Sequence, residues 1–255
     1  MSQIHEVFDS YQNAAAVCGA GYNDRILTNT VVAKTKIMAS NPMGLPLTSD
    51  PTAILTTVIA AIAASGSSPI KVLDFGGAAG HHYFYSKAIL PQVNLKWSVV
   101  ETSAMVEAAS SELYNEELGF FETINSALNS LGECDFVFSS GAIQYHPSPE
   151  EIFDELVGIG ARDLMIARLP LFDGPRTVGV QTSKLSENGP GPLPHGFNDR
   201  IIKYPVTFCT RTQITEKLLG SYRLSAQFQS PSANYSIGGR PAIGATLLLR
   251  RRTPR

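Results

Sequence analysis

The chain is 255 residues long, 44% hydrophobic and 16% charged, which suits one α/β domain with additions or one domain plus a small subdomain. A formal net charge of −2 and a pI near 6.2 give no general electrostatic reason to bind nucleic acid. Three widely spaced cysteines (Cys18, Cys134, Cys209) offer neither a disulfide framework nor a zinc spacing, so a reducing, cytoplasmic setting without a metal is expected. In chain order, Glu6 and Asp9 stand where a secretory signal would start basic, and the longest greasy stretch, Ala53 to Ala64, is too short to cross a bilayer. No membrane insertion is therefore expected. Residues 1–66 read as a helical N-terminal extension: Ile26, Leu27, Thr30, Val31, Lys34 and Ile37 keep a helical rhythm that stops at Asn41-Pro42, and Asp50-Pro51 opens a second helix ending at Ser65-Gly66.

From residue 67 onward strands and helices alternate. The apolar runs Ile70–Phe75, Leu95–Val100, Phe120–Ile124, Cys134–Ser139 and Asp163–Ala167 read as strands, with helices over Gly80–Leu90 and Ser103–Tyr114. Ser148 and Glu151 have capping-box spacing for a further helix. Residues 172–205 break the rhythm with Gly174-Pro175 and the Gly189–Pro194 run, and read as a lid-like insert within a domain spanning 67–255. Thr210 and Gln213 cap a last helix, and Tyr222–Phe228 and Ala245–Arg250 close the domain as strands. Serial alternation predicts an α/β fold with a mostly parallel sheet and right-handed crossovers. The basic end, Arg250-Arg251-Arg252-Thr253-Pro254-Arg255, reads either as a solvated tail or as a contact for an anionic partner.

The chemistry concentrates at Asp74-Phe75-Gly76-Gly77-Ala78-Ala79-Gly80. Glycines there allow a tight turn and close approach of a ligand, and the helix behind offers free N–H groups. Asp74 ends an apolar strand, where a carboxylate is costly unless it serves something, and Glu101 ends the next strand, where an acid accepts ribose hydroxyls. The run does not fit the G-x-G-x-x-G spacing of a dinucleotide site, and an acid ahead of the turn sits poorly beside pyrophosphate. Charge complementarity favours a ligand carrying an ammonium and a sulfonium.

These residues resemble the D-x-G-x-G-x-G first motif of class I S-adenosylmethionine-dependent methyltransferases, and Glu101 matches their ribose-binding acid. Ala78 replaces the middle glycine, and an alanine favours a right-handed turn at that point. The phrase Leu73-Asp74-Phe75-Gly76-Gly77 is similar to a methyltransferase branch associated with bacterial surface-polysaccharide genes. The resemblance implies a Rossmann-like seven-stranded sheet with helices on both faces. It implies S-adenosylmethionine as cofactor, held by Asp74, Phe75, Gly76, Gly77, Ala78, Gly80, Glu101, Thr102, Ser139 and Ser140. The resemblance implies no particular substrate; the leading reading is methylation, at oxygen, of a small-molecule or glycan acceptor. His81, His82, Tyr145, His146 and Arg168 are the acceptor-side and catalytic candidates: histidines as bases, Arg168 as partner of an anionic acceptor or of a structural acid such as Asp135. His195, in the Gly/Pro-rich loop, reads as a surface residue. Two alternatives stand beside this reading. An NAD(P)-dependent oxidoreductase would need a Y-x-x-x-K set after the fourth strand, which is absent; a non-catalytic cofactor-fold binding protein would need none of these side chains.

Overall fold

The apolar runs at 70–75 and 95–100 are adjacent parallel strands in the computed structural model, which describes residues 2–42 and 50–252. The cap expected at Asp50 falls on side chains outside that description, as do residues 253–255. The elements run β1 (Ser2–Ile4), β2 (Val7–Phe8), α1 (Tyr11–Ala16), α2 (Arg25–Ser40), α3 (Asp50–Ala64), β3 (Ile70–Phe75), α4 (His81–Ile89), β4 (Leu95–Val100), α5 (Ser103–Leu113), β5 (Leu118–Phe121) and α6 (Ile124–Leu131). They continue through β6 (Phe136–Ser140), α7 (Pro149–Gly158), β7 (Asp163–Phe172), β8 (Thr177–Lys184), β9 (Ile201–Phe208), α8 (Arg211–Ser221), β10 (Tyr222–Gln229), β11 (Tyr235–Ile237) and β12 (Arg240–Arg251). Among the described residues no helix is long and apolar enough to cross a membrane.

The chain divides into two units. One, here the central unit, comprises residues 22–135 and 183–201. Its strands β3, β4 and β5 are parallel, joined by α4 and α5, a βαβαβ arrangement of the kind that binds nucleotides at its strand ends. β3 and β4 are buried on both faces, which is why they read as unbroken apolar runs. Lys34 of α2 is buried and donates to the carbonyls of Ser186 (2.9 Å), Asn188 (2.6 Å) and Gly189 (3.3 Å), fastening the 186–189 backbone to that helix. Asp24 caps α2 by accepting from the amides of Ile26 and Leu27 and also pairs with Arg200.

The terminal unit comprises residues 1–21, 136–182 and 202–255. Its main sheet has the order β1-β11-β12-β7-β6, with β10 pairing the distal half of β12, and β2-β8-β9 form a small second sheet. β6 and β7 are parallel, but β12 runs antiparallel to β7, β10 and β11. Its core gathers Ile4, Phe172, Val206, Phe208, Tyr235 and Ile237.

Three sequence expectations change here. Six strands of the terminal unit and three of the central unit carry the main pairing, so nine strands of mixed direction replace the expected mostly parallel seven. The cause is β11 and β12, joined at Gly238-Gly239, both with positive φ (54° and 81°), a two-residue hairpin that turns the chain back antiparallel. The first residues are also not wholly helical: Ser2–Ile4 pairs in parallel with β11 and buries Ile4. Finally, residues 172–205 contain β8 and most of β9.

Candidate functional site

In the central unit the site is built around the end of β3. The ladder between β3 and β4 continues past Phe75, in register with Val100, through the Gly76 amide, which donates to the Val100 carbonyl at 2.8 Å. The chain then bends through left-handed backbone at Gly76 (φ 68°), Ala78 (φ 51°) and Gly80 (φ 77°) before α4 begins. The right-handed turn that an alanine favours is therefore not made at residue 78. A Cβ on Gly77 would sit inside the Asp74 carboxylate, so the acid folded back beneath the turn is what demands glycine there.

Asp74 has no solvent exposure. Its Oδ2 accepts from the Trp97 indole N–H at 3.1 Å, and its Oδ1 has no partner among the described residues. Burial pushes its pKa up to about 8; the Trp97 bond opposes that and the nearby Glu101 charge adds to it. Trp97 is fixed in turn by the edge of Tyr83 (ring centroids 6.1 Å apart), whose hydroxyl donates to Glu117 at 2.9 Å. Glu101 directly follows β4 and accepts one backbone amide on each oxygen, Ala78 on Oε1 (3.0 Å) and Thr102 on Oε2 (2.9 Å). Burial raises its pKa, and these two amides hold it back. Thr102 is the N-cap residue of α5 but makes no side-chain cap bond, and its buried Oγ1 has no partner among the described residues.

His81 and His82 open α4 with their rings 3.9 Å apart. His82 is buried and its Nδ1 lies 3.2 Å from Thr52 Oγ1 of α3, so it is engaged in packing one helix on another.

In the terminal unit the nominated residues gather near the ends of β6 and β7. Ser139 is buried and its Oγ has no partner among the described residues. Ser140 receives Arg168, with Nε donating to Oγ at 3.0 Å and Nη2 to the carbonyl at 2.9 Å. Arg168 has positive φ (52°) and lies where the β7–β12 register slips between Ala245 and Leu247, a β-bulge that re-aims the side chain. A Cβ on Gly141 would stand 2.9 Å from Arg168 Nη2, so the guanidinium lies over a position only glycine fits. Asp135, the acid weighed as the partner of Arg168, instead accepts the Lys71 amide at 2.9 Å.

The Tyr145 hydroxyl donates to Gln181 Oε1 at 2.8 Å and lies 3.3 Å from the Tyr235 hydroxyl, which donates to the same oxygen at 3.0 Å. Burial raises the pKa of both phenols, while the charge of Arg168 lowers it. His146 accepts the Ser148 amide on Nδ1 at 3.1 Å, so the neutral ring carries its proton on Nε2. That diversion leaves the expected Ser148/Glu151 capping box unmade, since Ser148 forms no side-chain cap bond. His195 is exposed. The basic end is used within the unit: Arg250 pairs with Asp163, Arg251 donates to the Gly160 carbonyl behind α7 (2.6 Å), and Arg252 to the Tyr222 carbonyl (3.0 Å).

Trp97, Gln181 and Tyr235 escaped sequence reasoning. Trp97 lies on a strand already identified, on the same face as Val99, the register partner of Asp74, so its indole was a usable signal. Gln181 and Tyr235 reach Tyr145 only through long-range pairing and left none.

No family model matches the chain, and no curated protein matches it. Among solved structures it is similar to the CcbJ methyltransferase from Streptomyces caelestis, at 13% identity and a TM-score of 0.49 over 90% of this chain and 100% of that one. It is similar too to magnesium protoporphyrin IX methyltransferase from Synechocystis PCC 6803 with bound SAM (15% identity, TM-score 0.45, 79% of each chain). A third is the N-terminal domain of EvdMO1 with SAH bound (11% identity, TM-score 0.47, 77% of this chain and 81% of that one).

Proposed function

We propose that this chain is an S-adenosylmethionine-dependent methyltransferase acting on a small molecule or glycan, at oxygen. The observation that carries the reading is the buried carboxyl of Asp74, with one oxygen unpartnered, beneath a turn that only glycine at position 77 permits. An acid there opposes a pyrophosphate and suits a ligand bearing cationic N–H donors. The neighbouring groups fit the same cofactor. Thr102 Oγ1 lacks a partner among the described residues, and Glu101, with one amide on each oxygen, keeps lone pairs for ribose hydroxyls.

When bound, the cofactor supplies a sulfonium methyl group for in-line displacement. The chain's own part is to position the acceptor and take its proton. His82 is engaged with Thr52 and His146 with the Ser148 amide. His81, at the first position of α4 behind the glycine turn, stands beside them as a third candidate base. A surface-polysaccharide acceptor is supported by the Leu73–Gly77 phrase alone.

Calorimetry of the purified protein with S-adenosylhomocysteine and with NAD tests the reading. Binding of the first and not the second is expected, with at least a tenfold loss in Asp74→Ala. Binding of NAD would support the oxidoreductase; binding of neither would support a non-catalytic scaffold.

A further inference from the structure

Arg168 is an arginine kept at a cost. Left-handed backbone is strained for an L-residue with a Cβ, and the bulge in β7 holds Arg168 there. What that strain secures is an orientation. The guanidinium lies over Gly141, and Ser140 alone, through its Oγ and its carbonyl, occupies the edge formed by Nε and Nη2. Two of the five N–H donors are used, both by uncharged oxygens, and among the described residues no carboxylate pairs with this cation. A half-buried arginine without an acid is uncommon, because the charge has lost water and gained no counter-ion. The edge left over is the Nη1/Nη2 fork, whose parallel N–H bonds match the two coplanar oxygens of a carboxylate. The charge reaches the phenols of Tyr145 and Tyr235, both tied to Gln181.

We infer that Arg168 anchors a carboxylate subsite, so that the acceptor is an organic acid or a sugar acid, its carboxylate held on the free guanidinium fork beside the Tyr145–Tyr235–Gln181 cluster. Ser140 acts as the positioning residue: it fixes the guanidinium plane and leaves the fork open. The assignment rests on the methyltransferase reading for its purpose, and not for its geometry.

The test is a ligand-observed NMR titration of the full-length protein with two matched pairs of probes, benzoate against benzamide and D-glucuronate against D-glucose. Each acid is expected to bind at least tenfold more tightly than its neutral partner. Arg168→Gln is expected to cost the acids about ten- to a hundredfold and the neutral probes nothing, with Arg168→Lys between, since it keeps the charge without the fork. Equal binding within each pair in the unaltered protein would overturn the inference, and needs no variant to fold. Tighter retention of inorganic phosphate than of either acid would overturn the carboxylate assignment. S-adenosylhomocysteine titrated in parallel separates the two claims. Its binding with no acid preference defeats the subsite alone; an acid preference without its binding keeps the subsite and defeats the methyltransferase reading.

Discussion

Ala78→Gly is expected to make the protein more stable, against the usual cost of adding a glycine. Ala78 sits at φ 51° between two glycines that are also left-handed, Gly76 and Gly80 with Gly77 and Ala79 intervening, so the turn as a whole imposes the conformation. Holding an alanine there costs about 1–2 kcal/mol. Glycine removes that cost but enlarges the unfolded ensemble, which takes back about 0.4–1 kcal/mol. The mid-range difference is a net gain of about 0.8 kcal/mol, or a rise of about 2–3 °C in Tm at this chain length. The Ala78 amide still reaches Glu101, because the bond uses the backbone and not the methyl group. Urea unfolding followed by circular dichroism measures the change, and Ala79→Gly serves as the control. Ala79 is buried and does not have positive φ, so glycine there brings only the entropic loss and a lost methyl contact. If Ala78→Gly destabilises as much as Ala79→Gly, the turn is not left-handed at residue 78 and the reasoning fails.

Asp74→Asn removes a pH dependence. The folded pKa is raised, to about 8, so between the unfolded value near 4 and that point the folded state holds a proton the unfolded state has lost, and stability falls as pH rises. The Asp74→Asn variant should gain on the original protein by up to about 1.4 kcal/mol per pH unit from pH 5 to 7, in urea titrations at each pH; parallel curves would refute it. Lys34→Met takes the donor away from three backbone carbonyls and should cost on the order of 3 kcal/mol, with amide exchange at 186–189 accelerating first; unchanged exchange there would show that the lysine does not fasten the segment. Gly77→Ala should destabilise by about 1–3 kcal/mol and abolish S-adenosylhomocysteine binding, and adding Asp74→Ala should restore the stability without the binding.

The parallel core was legible because its strands are buried on both faces and written as apolar runs. Ile70–Phe75 and Leu95–Val100 were placed to the residue. Helix α6 was missed because its Asn- and Ser-rich sequence has poor propensity, although Thr123 caps it and Ile124, Ala127 and Leu131 bury its face. The two- and three-residue strands β1, β2 and β11 have no period to read. The hairpin at Gly238-Gly239 was different: a double glycine, here between Ile237 and Arg240, is a turn signal, and it carried the antiparallel return that changed the sheet. At the site, position on a strand singled out Asp74 and Glu101. What each side chain touches depended on pairing across the fold, which is why the engagement of His82 by Thr52 and of Arg168 by Ser140 could not be read.

The costs in this protein are unevenly placed. Among the described residues, the non-glycine positions with positive φ are Ala78 and Arg168, one in each unit, and both are site candidates. Among the described residues, buried side-chain oxygens without partners belong to Asp74, Thr102 and Ser139, again candidates, and otherwise to Thr35 and Thr207. Each such oxygen costs about 1–3 kcal/mol and each strained residue about 1–2 kcal/mol, against a total stability of about 5–15 kcal/mol. A scaffold kept only for its surface gains nothing from a buried carboxyl with one oxygen unpartnered under a glycine turn, since an asparagine there would keep the Trp97 bond and shed the cost of a buried titratable group. A ligand that donates to that oxygen and screens the charge offsets the cost whenever it is bound. The half-satisfied carboxyl of Asp74 and the strained turn at Ala78 above it, more than the glycines themselves, are therefore the argument for a working site at the end of β3.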